Sequence, residues 1–374
     1  VKAVCAICEA RIQLLPQGYQ TGDPLYCTEH ELLRGRDPRV VIPAAINAAE
    51  DDMHQHSDGL VRWCLPELHD LLGFLLPGTV TYGCAFPKNG KTAFLSNNIA
   101  YWVREGVRPW IMPTESRPKG LVTRIACERA GVSAEETLSR RLRLRMDQGD
   151  TVAEAQWNLV LNEYNAIRRE LAAHGADFAI EPAPRLTRRI FRDSCQAAKA
   201  DGFGIVVVDH VDHIKADNAD GLSGYQASEA VQHDALEFAE LFEMPVLLMS
   251  QLNTSRVTND PLHRYKRPVP DWVWMKGVKD QIATGMFGIF RPMVPNPDDR
   301  LLADIRSGQK ESWHIALPNT MGLADMLSRF GGAKADRVLY LPYHDGRITS
   351  PTTAERFALE QQQHGIRTHY GEAA

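Results

Sequence analysis

The sequence predicts an α/β domain built on a mainly parallel sheet with helices on both faces, preceded by a small cysteine-bearing module. Three observations predict it. Between about residues 63 and 350, short apolar segments alternate with helix-length ones. Two of the short segments read as strands buried on both faces: Ile205–Val208, apolar throughout, and Pro245–Ser250. A Gly-Lys-Thr triplet, Gly90 to Thr92, stands between a predicted strand and a predicted helix, the place where such sheets hold phosphates.

The first module spans residues 1–36. It carries Cys5-Ala-Ile-Cys8 and Cys27-Thr-Glu-His30, two tight ligand pairs separated by a hairpin-sized segment. Thiolates and a neutral imidazole in that spacing suit tetrahedral Zn²⁺. So small a module has almost no apolar core, and a structural zinc would supply about 10–16 kcal/mol of folding energy. Residues 37–62 read as a linker, with a weak helix from Val40 to Asp52 and a solvated acidic, His-containing run from Glu50 to Asp58.

The main domain, residues 63–350, begins its alternation with strand Thr79–Cys84 and helix Thr92–Glu105, closed by Gly106. Strand Arg108–Met112, helix Lys119–Ala130, a long helix Thr151–Ala173, strand Ala176–Ile180 and helix Leu186–Ala200 follow. Then come strand Ile205–Val208, helix Tyr225–Phe242 and strand Pro245–Ser250. Residues 351–374, Gln-rich and charged, read as a tail.

Composition sets limits on function. The chain has 374 residues, 44% of them hydrophobic and 24% charged, enough to bury a substantial core. No segment approaches the roughly 20 unbroken apolar residues of a membrane helix. No secretory signal is visible, and the first residue, Val1, is consistent with residues lying upstream. The net charge of −5 argues against a generally basic nucleic-acid coat protein, though not against binding through local basic loops. Seven cysteines, three of them in the first thirty residues, point to a metal site in a reducing, cytoplasmic compartment rather than a disulfide framework.

The chemistry concentrates after the first strand, in Ala85-Phe-Pro87-Lys88-Asn89-Gly90-Lys91-Thr92. This is a P-loop with Ala85 in place of the usual first glycine. Backbone N–H groups of the loop and the helix start face phosphates, Lys91 offers a point charge to the β- and γ-oxygens, and the Thr92 hydroxyl is placed to ligate Mg²⁺. Asp209, ending the apolar strand Ile205–Val208, is the acid expected to hold a magnesium-bound water. Hydrolysis also needs a group that orients water. Glu115 follows strand Arg108–Met112, which is expected to lie beside the P-loop strand. Pattern alone leaves Glu115 open between that role and a surface-loop acid.

With these residues in place a resemblance becomes specific. Leu72-Gly-Phe-Leu-Leu-Pro-Gly78, the Ala-first P-loop, Pro113-Thr-Glu115-Ser, Val208-Asp209-His210, Met249-Ser-Gln251-Leu-Asn253 and Lys266-Arg-Pro268 occur in this order. The chain thereby resembles the helicase domain of DnaB-type replicative helicases, and the helicase half of phage primase–helicases, over about residues 63–350. The resemblance implies a RecA-like P-loop ATPase that uses ATP and Mg²⁺. It implies a ring oligomer, expected to be a hexamer, that acts on single-stranded DNA in replication, with primase and loader proteins as possible partners.

It also implies roles. Glu115 matches the catalytic glutamate. Gln251, which pattern alone would leave as a strand-end amide, matches the sensor of the γ-phosphate. Arg329 matches the arginine finger offered to the neighbouring subunit; Pro292–Asn319 reads as an insertion that loosens this register and leaves Arg306 as a fallback. Arg291 and Tyr343 match groups flanking the adenine. The loops after the Asp209 and Gln251 strands, Lys215–Gln226 and Asn253–Gln281, match those facing the DNA channel. The second is rich in cations, among them Arg264, Lys266, Lys276 and Lys279. Two other readings compete: a RadA-like recombination or repair ATPase, and a nucleotide-binding loader or assembly module that has lost the motor. A four-cysteine finger and a protease-like C-terminal domain would mark the first; intact Lys91, Thr92, Glu115 and Asp209 argue against the second.

Overall fold

A computed structural model describes residues 60–86, 88–174, 178–181, 186–215, 223–252, 282–295, 314–316, 319–328 and 338–355. In chain order the elements are α1 (Pro66–Leu72), β1 (Val80–Ala85), α2 (Lys91–Arg104), β2 (Pro109–Pro113), α3 (Pro118–Ala130), α4 (Ala134–Leu138), α5 (Arg141–Asp147) and α6 (Thr151–His174). They continue with β3 (Ala179–Ile180), α7 (Arg188–Ala200), β4 (Ile205–Asp209), a 3₁₀ turn at Val211–His213, α8 (Gly224–Phe242), β5 (Val246–Gln251) and β6 (Gly285–Phe290). The last are β7 (Met293–Pro295), β8 (His314–Ala316), β9 (Thr320–Ser328), β10 (Val338–His344) and β11 (Arg347–Ile348).

Nine strands form one sheet in the order β11-β10-β9-β6-β1-β5-β4-β2-β3. From β3 to β6 every pairing is parallel; β9, β10 and β11 extend the sheet antiparallel. The parallel part is buried on both faces, as its unbroken apolar strands require. Alternate residues of one strand serve opposite cores. Ile205 and Val207 of β4, with Leu247 and Met249 of β5, pack under α2, α3 and α6, meeting Leu95, Ile99, Ile125 and Val160. Val206, Val208, Val246 and Leu248 face α7 and α8, meeting Phe191, Cys195, Val231 and Phe238. Period-two alternation thus divides each apolar strand between two helical layers.

Local chemistry sets the helix ends. α3 opens with Pro118 and stops at Gly131, whose φ of 66° is left-handed. α8 opens with a capping box: Ser223 Oγ accepts from Gln226 N, and Gln226 Oε1 accepts from Ser223 N. β1 packs so closely that a side chain on Gly83 would sit 2.7 Å from Met249 Sδ and from Phe287; only glycine leaves room there.

One expectation is overturned. β2 does not lie beside the P-loop strand. Both edges of β1 are taken, Val80 pairing with Val246 of β5 and Thr81 with Gly285 of β6. β2 pairs with β4 instead, Pro113 opposite Asp209. Nearness along the chain does not set strand order; the crossovers that cover both faces do. Two short helices, α4 and α5, which sequence reading did not pick out, fill the stretch between the helices expected over Lys119–Ala130 and Thr151–Ala173. Within Pro292–Asn319, β7 and β8 pair antiparallel as a two-stranded ribbon outside the main sheet.

Among the described residues no helix is long and apolar enough to cross a membrane. The Cys5, Cys8, Cys27 and His30 set, Pro87, Arg264, Lys266, Lys276, Lys279, Arg306 and Arg329 lie outside the described residues, as do 1–59 and 356–374.

Candidate active site at the carboxyl edge of the sheet

Because β1, β5, β4 and β2 run parallel, their last residues reach one edge together: Ala85, Gln251, Asp209 and Pro113. At β1 the chain turns through Lys88 (φ 63°) and Gly90 (φ 93°) and starts α2 at once. Gly90 O accepts from Phe94 N at 2.8 Å, the first turn of that helix. No side chain caps α2 and no acid stands in its first turn. Its N–H groups and the positive end of its dipole therefore face the loop, ready for an anion. Glycine is favoured at position 90 by its φ, and the loop there lies against Met321 of β9, whose Cε would stand 2.8 Å from an added Cβ.

Lys91 and Asp209 meet across this edge, Nζ to Oδ1 at 3.3 Å, both side chains largely buried. Among the described residues that carboxylate oxygen has no hydrogen-bond partner. A buried carboxylate oxygen that faces an ammonium ion without a hydrogen bond has acceptor capacity left over, which suits a metal-bound water. Thr92, in the first turn of α2, is the nearby hydroxyl of the triplet.

Glu115 arrives from β2 across the tip of β4. Thr114 ties the crossing: its N donates to Asp209 O at 2.7 Å, and its Oγ1 accepts from His210 N at 2.9 Å. Glu115 Oε1 then lies 3.2 Å from His210 Nε2 and 3.5 Å from His213 Nδ1. Burial pushes the Glu115 carboxyl up. The hydrogen bond to His210 and the charges of His210, Lys91 and His213 outweigh that and hold it below the usual carboxylate range. His213 is lowered, by burial first and by His210 second. Asp212 anchors the next strand, its Oδ2 accepting from Gln251 N at 2.6 Å and Ser250 Oγ at 2.7 Å.

The structure thus brings Ala85, Lys88, Asn89, Gly90, Lys91, Thr92, Asp209, Glu115 and Gln251 to one edge. Tyr343 lies on β10, the neighbour of β9 in the sheet. Met321, against Gly90, pairs with Leu341, two residues before Tyr343. Burial raises the Tyr343 hydroxyl, and the Arg291 charge opposes that rise; Arg291 itself is exposed just past β6. Sequence reasoning gave no role to His210, Asp212 and His213. The repeated Asp-His pair in Val208-Asp-His-Val-Asp-His213 was the available signal.

Strand order, two helical layers and a strand–loop–helix turn with Lys91 on Asp209 define a RecA-like α/β domain. The family model described as the DnaB-like helicase C terminal domain matches residues 62–271, more than half of the chain. The chain belongs to that family. It is similar in fold to a solved DnaB-like replicative helicase described with its interactions with primase, at TM-score 0.60 and 16% identity over 84% of this chain and 68% of that one. A structure described as an ATPase domain aligns at TM-score 0.61 and 16% identity, over 84% of this chain and all of that one. No curated protein sequence matches the chain significantly.

Proposed function

We propose that the chain is an ATP-driven DnaB-like helicase or translocase that moves on single-stranded DNA as a ring, a hexamer, in the replication of a bacterial or phage genome. The observation that carries this reading is the Lys91–Asp209 pair. It sits between the uncapped start of α2 and the ionised Glu115, with one buried Asp209 oxygen free of hydrogen bonds among the described residues. That donor set fits ATP with Mg²⁺. Loop and helix N–H groups from Lys88 to Thr92, with Pro87 and Ala85 shaping the turn, would bind the phosphates, and Lys91 would neutralise β- and γ-oxygens. Thr92 and Asp209 would hold Mg²⁺, which supplies charge neutralisation at the β- and γ-phosphates. Glu115 would orient the attacking water, Gln251 would sense the γ-phosphate, and Arg291 and Tyr343 would flank the base. Arg329 would act in trans on a neighbouring subunit. Arg264, Lys266, Lys276 and Lys279 would contact DNA phosphates.

In this reading residues 63–350 are the motor, 37–62 a linker, 351–374 a tail, and 1–36 a zinc module built on Cys5, Cys8, Cys27 and His30. The work belongs to the cytoplasm, and primase and a loader are candidate partners, as the solved relative described with primase suggests.

The test is hydrolysis of ATP with and without single-stranded DNA, alongside native mass. DNA-stimulated turnover by a ring-sized species is expected. A monomer that binds ATP and never turns it over with DNA present would overturn the motor reading.

A further inference from the structure

We propose that Glu115, His210 and His213 form a binding site for a divalent transition-metal ion of the zinc class, and that an ion seated there withdraws Glu115 from hydrolysis. The second half rests on the role given to Glu115 above; the first half does not.

The donor atoms are already gathered. Glu115 Oε1, His210 Nε2 and His213 Nδ1 all lie within 4.8 Å of one another. Two edges of the triangle measure 3.2 and 3.5 Å. Ligands held about 2.0–2.1 Å from a tetrahedral zinc stand about 3.3 Å apart, so these two edges have the required length. The imidazole rings flank the carboxylate with centroids 4.0 Å apart. The outward side is open: the side chains of Glu115 and His213 are 53% and 44% exposed, which leaves an approach for the ion and room for a water as fourth ligand.

A surrounding shell is present as well. His210 is buried, and its second nitrogen, Nδ1, has no hydrogen bond among the described residues but stands 3.4 Å from Asp212 Oδ2. Asp212 is held in turn by Ser250 Oγ and Gln251 N. A metal-bound imidazole commonly directs its other N–H at a carboxylate, which orients the ring and raises its basicity. Two imidazoles and one carboxylate favour zinc, cobalt or nickel. The hydroxyl and carboxylate oxygens of Thr92 and Asp209 instead suit magnesium. The two sites therefore select different ions although they share one edge of the sheet. An ion on Glu115 Oε1 occupies the oxygen that would orient water, so hydrolysis stops while Lys91, Thr92 and Asp209 remain able to bind nucleotide.

The test uses the full chain, stripped of metal, without nucleotide, equilibrated with Zn²⁺ and passed through a desalting column before metal analysis. His213→Ala removes one exposed ligand, and Glu115→Gln removes the carboxylate with little change of shape. Both leave Cys5, Cys8, Cys27 and His30 intact, so any zinc held there cancels in the comparison. Each variant should retain about one zinc fewer per chain than the wild type. In turnover assays with Mg²⁺ and ATP, zinc should inhibit the wild type, and His213→Ala should need about 10–100-fold more zinc for the same inhibition. Equal zinc content in all three proteins overturns the site. Zinc retained by the wild type alone, with its turnover unaffected, overturns the inhibition. A chain that hydrolyses no ATP fails the motor reading, and the metal count still decides the site.

Discussion

Lys91 and Asp209 lie 118 positions apart in the chain and 3.3 Å apart in the fold, and each gives the other its meaning. Without Asp209 the largely buried ammonium would lose its counter-charge; without Lys91 the buried carboxylate would lose its own. Lys91→Ala should therefore lower ATP turnover by about 10²–10³-fold, the usual cost of losing one preorganised charge contact. Glu115→Gln keeps the shape and should bind nucleotide nearly as well, yet lose at least about 100-fold in turnover if its carboxylate orients the water as proposed. Steady-state hydrolysis and equilibrium binding of a fluorescent nucleotide separate the two cases. Wild-type turnover by Glu115→Gln would remove that residue from its assigned role. Residue types alone exposed Lys91, Thr92 and Asp209, because a P-loop imposes local backbone rules. They could not decide on Glu115, whose role depends on a crossing over β4.

At the scale of elements, α2, α3 and α6 form the layer over one face of the sheet, and α3 carries a buried acid into it. Glu128 is 1% exposed; its Oε1 accepts from Ser96 Oγ of α2 at 2.8 Å, and its Oε2 has no hydrogen bond among the described residues. Burial pushes this carboxyl well above the usual range, against the opposing bond from Ser96 and the charge of Arg124. The unfolded chain releases that proton in the ordinary carboxylate range, while the folded chain keeps it. Between those limits the folded state binds more protons, so this group costs stability as pH rises. Glu128→Gln, neutral throughout and still an acceptor for Ser96, removes that cost. Its melting temperature should exceed the wild type's at mildly alkaline pH, with the gap closing in acid below the carboxylate range. A gap that stays constant with pH would show that Glu128 is ionised in the fold. The helices themselves were legible from their length and end signals; the one expected over Lys119–Ala130 differs from α3 by a single residue, Pro118 at its start. The short α4 and α5 carry too few residues for a period to register.

At the scale of the molecule, a finger offered in trans would place each active site between two subunits. Arg329→Ala should bind ATP and lose about 10³–10⁵-fold in turnover. Mixing it with Glu115→Gln subunits should restore part of the activity, because some interfaces then pair an intact glutamate with an intact finger. No recovery on mixing would shift the role to Arg306 or elsewhere. Lys276→Ala with Lys279→Ala should weaken binding of every single-stranded sequence alike. It should also flatten the salt dependence, whose log–log slope is roughly −0.7 per phosphate neutralised. An unchanged slope would move the DNA path away from this loop. Freshly purified protein should carry about one tightly held zinc per chain, and Cys27→Ser should lose it while the motor domain stays folded. Metal analysis without zinc in the wild type would end the zinc-module reading.

The sequence by itself determined the alternation of strands and helices, the P-loop turn with its lysine and threonine, and the acid at the tip of a fully apolar strand. All of these are local: a period of two or 3.6, a left-handed glycine at position 90, an apolar run buried on both faces. Only the tertiary structure decided that β4 and β5 separate β2 from β1. Only it brought Glu115 to His210 and His213, and gave Asp212 the backbone of Gln251 to hold. Those contacts join residues 39 to 98 positions apart. What joins them is strand order, which follows from how the crossovers bury both faces of one sheet and has no period that a sequence could display.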